Sequence, residues 1–256
     1  MTRRQFRGKT ILWILLCLLL AGIIASGIAL TFFRPQVKAL YHTLRQVLLP
    51  APTPAYRHYA DSDDRIVIWL DSGHGGTDPG AVSPFLGEET EASINYRLSR
   101  LVKEQLEAYG YIVKLTWDEN TPPAEDGTYP YQDRIARANA DPEADFYVCI
   151  HCNAYTDPGV KGARLYYYPT PNPYTYALAR SVAKAVGSAH GEEAPRLFSQ
   201  TEETAFYVLR HAKMPAFLLE TLFVSNEEDA AKLLDPTWLS VEATGIAAGI
   251  RNFIGT

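Results

Sequence analysis

Apolar and polar positions divide the chain into an uncharged apolar stretch near the N-terminus, a polar linker, and a longer segment of alternating patterns. Residues 10–33 carry no charged side chain, and a helix needs about 20 such residues to cross a bilayer. Basic side chains precede this stretch and few follow it, which places the N-terminus in the cytoplasm and the rest outside. The pattern predicts a basic tail and a transmembrane anchor over residues 1–34. We therefore expect a single-pass cell-membrane protein whose main domain is extracytoplasmic.

A cleaved signal peptide is the alternative to the anchor, because Ala25, Ser26 and Gly27 are small residues of the kind found at cleavage sites. The length of the apolar run favours the anchor. Residues 35–64 follow, with the pattern of a short amphipathic helix and then a stretch rich in proline and polar groups. This composition is typical of a juxtamembrane helix and linker.

Residues 65–256 alternate between strand-like runs, in which β-branched and aromatic residues are frequent, and longer runs with helical periodicity. The strand-like runs are RIVIWL, YIVKLTW, DFYVCI, ARLYYYP and PAFLLE. The helical runs are EASINYRLSRLVKEQLEAYG, YQDRIARANA, PYTYALARSVAKAVGSA and WLSVEATGIAAGIRNFI. This alternation predicts an α/β domain with a mostly parallel, twisted sheet and helices on both faces.

The composition is sufficient for one sizeable core and narrows the range of functions. Of 256 residues, 47% are apolar, and the net charge of −5 argues against nucleic-acid binding. The three cysteines are too few for a disulfide framework. Cys149 and Cys152 form a C-x-x-C pair, but a redox pair would place its first cysteine at a helix N-terminus rather than in a strand. We predict that they are packing residues, and a direct role as metal ligands is the less favoured alternative.

Histidine and carboxylate side chains follow several of the predicted strands. His74 comes after IVIWL, His151 comes after DFYVCI, and Glu220 ends the strand that contains AFLL. Because ligands bind at the carboxyl ends of strands in open α/β sheets, we expect these side chains at one edge. Glu91 opens the helix after the His74 loop, with Thr90 as its predicted N-cap, so it belongs to the same edge.

Two histidines and one carboxylate are a common ligand set for catalytic zinc, and a second carboxylate can act as general base on a water molecule. Taken singly, these residues have ordinary explanations. A histidine after a strand is usually a solvated loop residue, and acidic residues are favoured at helix N-termini. A carboxylate that ends an apolar strand, however, is costly without a partner. The coincidence of all these side chains at one edge predicts a metal-dependent hydrolase that acts on an amide or ester.

Motifs in a fixed order make the domain recognisable: DSGHGGTDPGA, EASIN, ADFYVCIHCNA and FYVLRHAKMPAFLLETLFVSN. Over about residues 65–254 the chain resembles the zinc-dependent N-acetylmuramoyl-L-alanine amidases of type 3. The resemblance implies that His74, Glu91 and His151 hold zinc. It also implies that Glu220 is the catalytic carboxylate. The implied reaction is hydrolysis of the amide bond between N-acetylmuramic acid and L-alanine in peptidoglycan.

Further residues take their interpretation from this resemblance. Glu91 is preferred as the ligand because the family's glutamate stands four residues before an asparagine, as Glu91 stands before Asn95. Asn153 is a candidate contact to substrate, and Asp71 is a candidate support for a metal ligand. The chain departs from the family at Leu222, where the family usually has a glycine.

The segment between NAY and FYVLR is short compared with family members that an inserted helix autoinhibits. This implies an open site or control by an activator protein. The single-anchor layout also resembles amidases of spore cortex maturation or germination. Two other functions stay open, a zinc peptidase of related fold and a membrane-tethered peptidoglycan-binding module without activity. The complete set of candidate side chains argues against the binding module, and Leu222 is the feature in its favour.

Overall fold

The structure is a computed structural model that describes residues 66–170, 172 and 174–255. The predicted anchor over residues 1–34 and the linker over residues 35–64 lie outside the described residues. Every helix that is described is too short or too polar to span a bilayer.

The described residues form six strands in a single sheet. The strands are β1 (Val67–Ser72), β2 (Ile112–Leu115), β3 (Ala144–Asn153), β4 (Arg164–Tyr167), β5 (Arg196–Ser199) and β6 (Ala216–Phe223). Their order across the sheet is β2-β1-β3-β6-β4-β5. The first four strands in this order are mutually parallel, β4 is antiparallel to β6, and β5 is parallel to β4.

The helices connect these strands and close the domain. They are α1 (Glu91–Ala108), α2 (Tyr131–Ala140), α3 (Tyr174–His190), α4 (Tyr207–His211), α5 (Glu227–Leu234) and α6 (Pro236–Ile254), and a 3₁₀ turn spans Pro84–Leu86. The predicted strands and long helices are confirmed. The sequence did not predict β5, α4 or α5, because segments of four to eight residues carry too little periodicity to stand out.

The side chains of the central strands alternate between two apolar layers, as a strand period of two requires. On one face, α1, α3 and α6 cover Phe146, Val148 and Ile150. On the other face, α2 and α4 cover Tyr147 and Cys149. The expected mostly parallel α/β sheet with helices on both faces is therefore confirmed.

Close backbone contact joins α3 to α6, the C-terminal helix. A Cβ atom on Gly249 would lie 2.4 Å from the Cα atom of Val182, and one on Gly245 would lie 2.9 Å from the Cα atom of Val186. The hydroxyl of Ser181 donates a hydrogen bond to the carbonyl oxygen of Gly249 at 2.7 Å. These small residues let the two helices approach closely where they cover the sheet.

We expect Gly249→Ala to destabilise the fold. The added methyl group meets backbone, and such overpacking costs about 1–3 kcal/mol, which the roughly 1 kcal/mol gain in helix propensity offsets only partly. The measurement is the urea midpoint of unfolding. Thr244→Ala, at an exposed position of the same helix, is the matched control and should leave stability unchanged or raise it by up to about 0.7 kcal/mol, because alanine is the better helix former. An unchanged midpoint for Gly249→Ala would show that the helices separate without cost.

Candidate active site

The loop after β1 brings His74 beside the end of β3. The Gly73 N–H donates a hydrogen bond to the carbonyl oxygen of Ile150 at 2.9 Å. A Cβ atom on Gly73 would lie 2.3 Å from the imidazole of His151, so only glycine leaves room for that ring. His74 has a left-handed φ of 65°, which is uncommon for a residue other than glycine. The centroids of the two imidazole rings are 4.8 Å apart.

A stack of three aromatic rings supports this loop. The indole of Trp117 lies between the rings of Tyr96 and Tyr129, with centroid distances of 4.7 and 4.6 Å. Its Nε1–H donates a hydrogen bond to the carbonyl oxygen of Ser72 at 2.8 Å. A Cβ atom on Gly75 would lie 2.6 Å from the indole, so the stack fills the space beside the loop. Sequence reasoning did not connect these rings with the site.

Glu91 is the first residue of α1, and a capping box fixes its position. The Thr90 hydroxyl accepts a hydrogen bond from the Ser93 N–H, and the Ser93 hydroxyl accepts one from the Thr90 N–H, both at 3.1 Å. The predicted N-cap is therefore confirmed. The Glu91 side chain points inward and is 2% exposed.

The Glu91 carboxylate lies between the two histidines. Its Oε1 is 3.3 Å from Nε2 of His74 and 3.1 Å from Nδ1 of His151. Oε1 also accepts a hydrogen bond from the Cys152 N–H at 3.1 Å, and Oε2 accepts one from the Ala81 N–H at 2.7 Å. The predicted ligands from two strands and one helix thus meet at one point.

His74, Glu91 and His151 form a group that could hold a metal ion, because one ligand atom from each lies within 4.8 Å of the others. Nδ1 of His74 lies 2.8 Å from Oδ2 of Asp78, so the Nε2 atom of that ring is left for the metal. A carboxylate on the far nitrogen fixes both the tautomer and the ring orientation of a metal-binding histidine. Asp78 was missed by sequence reasoning, since Asp-Pro-Gly in a glycine-rich loop first indicates a turn.

Opposite charges shift the pKa values of His74 and Glu91 toward their ionised forms. Burial alone would lower the pKa of His74, but Glu91 and Asp78 raise that pKa to about 9. Burial alone would raise the pKa of Glu91, but His151 and His74 hold it well below its usual range. Glu91 is therefore an anion, which is the charge state that a cation requires, and a metal bound here would displace the proton that Glu91 shares with His74.

Glu220 supplies a second carboxylate beside this group. It lies on β6 opposite His151 of β3 in the register of the sheet. Its Oε2 is buried and has no hydrogen-bond partner among the described residues. Burial raises the pKa of Glu220 to about 7, against the opposing influence of His151 and Arg164. A carboxyl group with a pKa near neutrality can both accept and release a proton.

Asp71 lies beneath the site and is fully buried. Its carboxylate is 2.7 Å from Nε of Arg134 and accepts hydrogen bonds from the Thr116 hydroxyl at 2.7 Å and the Cys149 thiol at 3.0 Å. Asp71 therefore ties α2, β2 and β3 together under the site. The carboxylate that touches a candidate ligand ring is Asp78 instead.

The remaining candidates lie at the same edge. Asn153 is the last residue of β3, is half-buried, and accepts a hydrogen bond from the Val224 N–H on its carbonyl oxygen at 2.8 Å. Its contact with substrate stays a prediction. Cys149 and Cys152 are buried free thiols, as expected for packing residues. Leu222, at the position of the family's glycine, is 5% exposed and packs in the larger apolar layer.

Comparison with known proteins identifies the family. The family model described as N-acetylmuramoyl-L-alanine amidase matches residues 68–252, which include every candidate side chain of the site. The chain belongs to this amidase family.

Curated relatives and solved structures agree with this assignment. N-acetylmuramoyl-L-alanine amidase AmiC of Neisseria meningitidis is 32% identical over 231 residues, which cover 75% of this chain and 53% of that protein. The chain thus spans about half the length of that amidase. The germination-specific N-acetylmuramoyl-L-alanine amidase of Bacillus subtilis is 30% identical, with 73% of this chain and 79% of that protein covered. The catalytic domain of CwlV, an amidase from Bacillus (Paenibacillus) polymyxa, superposes with a TM-score of 0.63 at 28% identity, covering 73% of this chain and 97% of that domain.

We expect Gly73→Ala to weaken metal binding at this amidase site. The new methyl group would overlap the His151 ring, and displaced ligands of this kind typically cost about 10- to 100-fold in affinity. The measurement is competition for Zn²⁺ against a chromophoric chelator. Gly159→Ala is the control, because its methyl group would meet only the flexible side chain of Asp157, at 3.1 Å. Equal Zn²⁺ affinity in both variants would contradict the steric role of Gly73.

Asp78→Asn tests the support of His74. The amide keeps the size of the side chain and loses its charge, so we expect Zn²⁺ affinity to fall about 10- to 100-fold in the same competition assay. Glu125→Gln removes an exposed carboxylate from a nearby loop and should leave the affinity unchanged. A fall of similar size in both variants would point to a general loss of negative charge.

Proposed function

We propose that the chain is a zinc-dependent amidase that hydrolyses the amide bond between N-acetylmuramic acid and L-alanine in peptidoglycan. The observation that carries the proposal is the position of Glu220. Its buried and unpartnered Oε2 lies one strand away from a ligand group of two histidines and a glutamate. Family membership supports the choice of substrate bond.

The donor atoms fit zinc. In a tetrahedral site with bonds of about 2.0–2.1 Å, ligand atoms are about 3.4 Å apart. Oε1 of Glu91 lies 3.3 Å from Nε2 of His74 and 3.1 Å from Nδ1 of His151. Two imidazole nitrogens and one carboxylate oxygen are ligands that zinc accepts and that leave a fourth position open.

The chain's own residues account for the proton transfers. Bound zinc would supply Lewis acidity toward the amide carbonyl and toward a water molecule. Glu220, with its pKa raised to about 7, accepts a proton from the attacking water and returns it to the leaving amine nitrogen. Asp78 holds the His74 ring through Nδ1, the nitrogen that faces away from Glu91, so this ligand is oriented before substrate arrives.

The proposal includes a cellular setting. The uncharged stretch over residues 10–33 supports a single-pass anchor in the cell membrane, with the catalytic domain facing the cell wall. The similarity to a germination-specific amidase supports a role in the spore cortex. Control by an activator protein is part of the same proposal, and the short segment between NAY and FYVLR supports it.

The test is mass spectrometry of purified peptidoglycan treated with the full chain, with and without a chelator. We expect glycan freed of peptide and new L-alanine amino termini, both dependent on zinc. Glu220→Gln should lower the rate by roughly 10²- to 10⁴-fold while Zn²⁺ stoichiometry stays unchanged, because the general base is lost and the ligands are not.

Glu228→Gln is the control, since this carboxylate lies on the surface and should leave the rate unchanged. Cleavage between amino acids would show that the chain is a peptidase of the same fold and not an amidase. Full activity in Glu220→Gln would remove Glu220 from the mechanism.

A further inference from the structure

Two arginines continue the row of catalytic side chains across the sheet. Because β4 and β5 run opposite to β6, their first residues lie at the edge where β6 ends. In the register of the sheet, Glu220 is opposite His151 on one side and Arg164 on the other, and Arg164 is opposite Arg196. His151, Glu220, Arg164 and Arg196 therefore form a row over four neighbouring strands.

The two guanidinium groups lie on the same face and against the same ring. Arg164 and Arg196 lie over Phe198, at 5.8 and 5.3 Å from its centroid, and Arg164 also lies 4.7 Å from the centroid of Phe223. A guanidinium that stacks on an aromatic ring leaves its N–H groups free at the edge of the plane. The rings thus hold both groups in position and leave their donors available.

Neither guanidinium forms a salt bridge or donates a hydrogen bond within the part of the chain that the structure describes. Like charges on directly opposed positions of neighbouring strands repel each other. Glu220, the acidic neighbour of Arg164 in the register, forms no salt bridge with it among the described residues, and Glu202, near the other end of β4 and β5, contacts Tyr168 and Arg210. An anion between the two arginines would relieve the repulsion and use the free donors.

We propose that Arg164 and Arg196 form an anion subsite beside Glu220 that binds a carboxylate on the peptide part of the substrate. This subsite rests on the proposed function. In the proposed substrate, the lactyl carboxyl group of muramic acid forms the amide bond that is cleaved, so it is not a free carboxylate. The nearest free carboxylates of the substrate then lie on its peptide side. The peptide crosses β6 toward β4 and β5, and the carboxylate meets the paired guanidinium groups, whose planar shape suits it.

The test uses two synthetic substrates, N-acetylmuramoyl-L-alanyl peptides that carry either a free carboxylate or its neutral amide on the residue after L-alanine. We expect the zinc-loaded full chain to prefer the acid roughly tenfold in kcat/KM, mainly through a lower KM. Charge-assisted hydrogen bonds in a partly exposed site provide a preference of about this size. Arg196→Gln and Arg164→Gln should each reduce this preference several-fold. The ratio of the two substrates cancels any effect of Arg164 on the basicity of Glu220, because that effect applies to both.

Arg180→Gln is the matched control, because Arg180 is an exposed arginine on α3, across the sheet from this row. It should keep the preference of the unmodified chain. Arg164→Lys retains the charge but not the planar pair of donors. We therefore expect its preference for the acid to lie between that of the unmodified chain and that of Arg164→Gln. Circular dichroism establishes that each variant is folded.

The outcomes separate this subsite from the amidase activity. Equal hydrolysis of acid and amide by the unmodified chain would overturn the subsite and leave the amidase intact. If neither substrate is hydrolysed, calorimetric binding of the two peptides replaces the kinetics. Tighter binding of the acid that is lost in Arg196→Gln would then support the subsite independently of the reaction, and equal binding of acid and amide would overturn the subsite.

Discussion

The Glu91 carboxylate is ionised in a place where an isolated charge would be expensive, and the rest of the site is arranged around that constraint. Taking a carboxylate out of water costs several kcal/mol unless opposite charge and hydrogen bonds compensate. Here the compensation comes from different parts of the chain: a histidine after β1, a histidine in β3, and backbone N–H groups of Ala81 and Cys152. Each of these groups reaches the Glu91 carboxylate only when the sheet and α1 are correctly assembled. The buried charge of Glu91 therefore depends on the complete fold.

The parallel strands and the strands that run antiparallel to them contribute different side chains to the site. The parallel strands end at one edge and deliver candidate ligands there, as in other open α/β sheets. β4 and β5, which run antiparallel to β6, contribute the beginnings of their strands to that same edge. One edge can therefore carry acidic and metal-binding side chains in its middle and cationic side chains at its side. The charge along this edge therefore changes from acidic side chains in its middle to cationic side chains at its side.

Much of this arrangement could be predicted from the sequence because it depends on strong local patterns. The β-branched runs before His74 and His151 and the helical stripe after Glu91 define both the elements and their ends. What escaped prediction depends on tertiary contacts between weak segments. The strand Arg196–Ser199 has four residues and exposed ends, and only its partner β4 makes it a strand. Asp78 looks like a turn residue, and Trp117 looks like the last residue of a strand, until the loops pack together.

The left-handed backbone at His74 has a consequence for the order in which the protein is assembled. That conformation costs about 1–2 kcal/mol in an L-residue, and the Trp117 stack and the hydrogen bond to Ser72 offset the cost without any metal. In small zinc domains the metal itself supplies the folding free energy. Here protein contacts hold the loop, because the Trp117 indole fills the space beside Gly75 and bonds to the Ser72 carbonyl oxygen. Under the proposed function, the chain would fold first and take up zinc in a separate, later step.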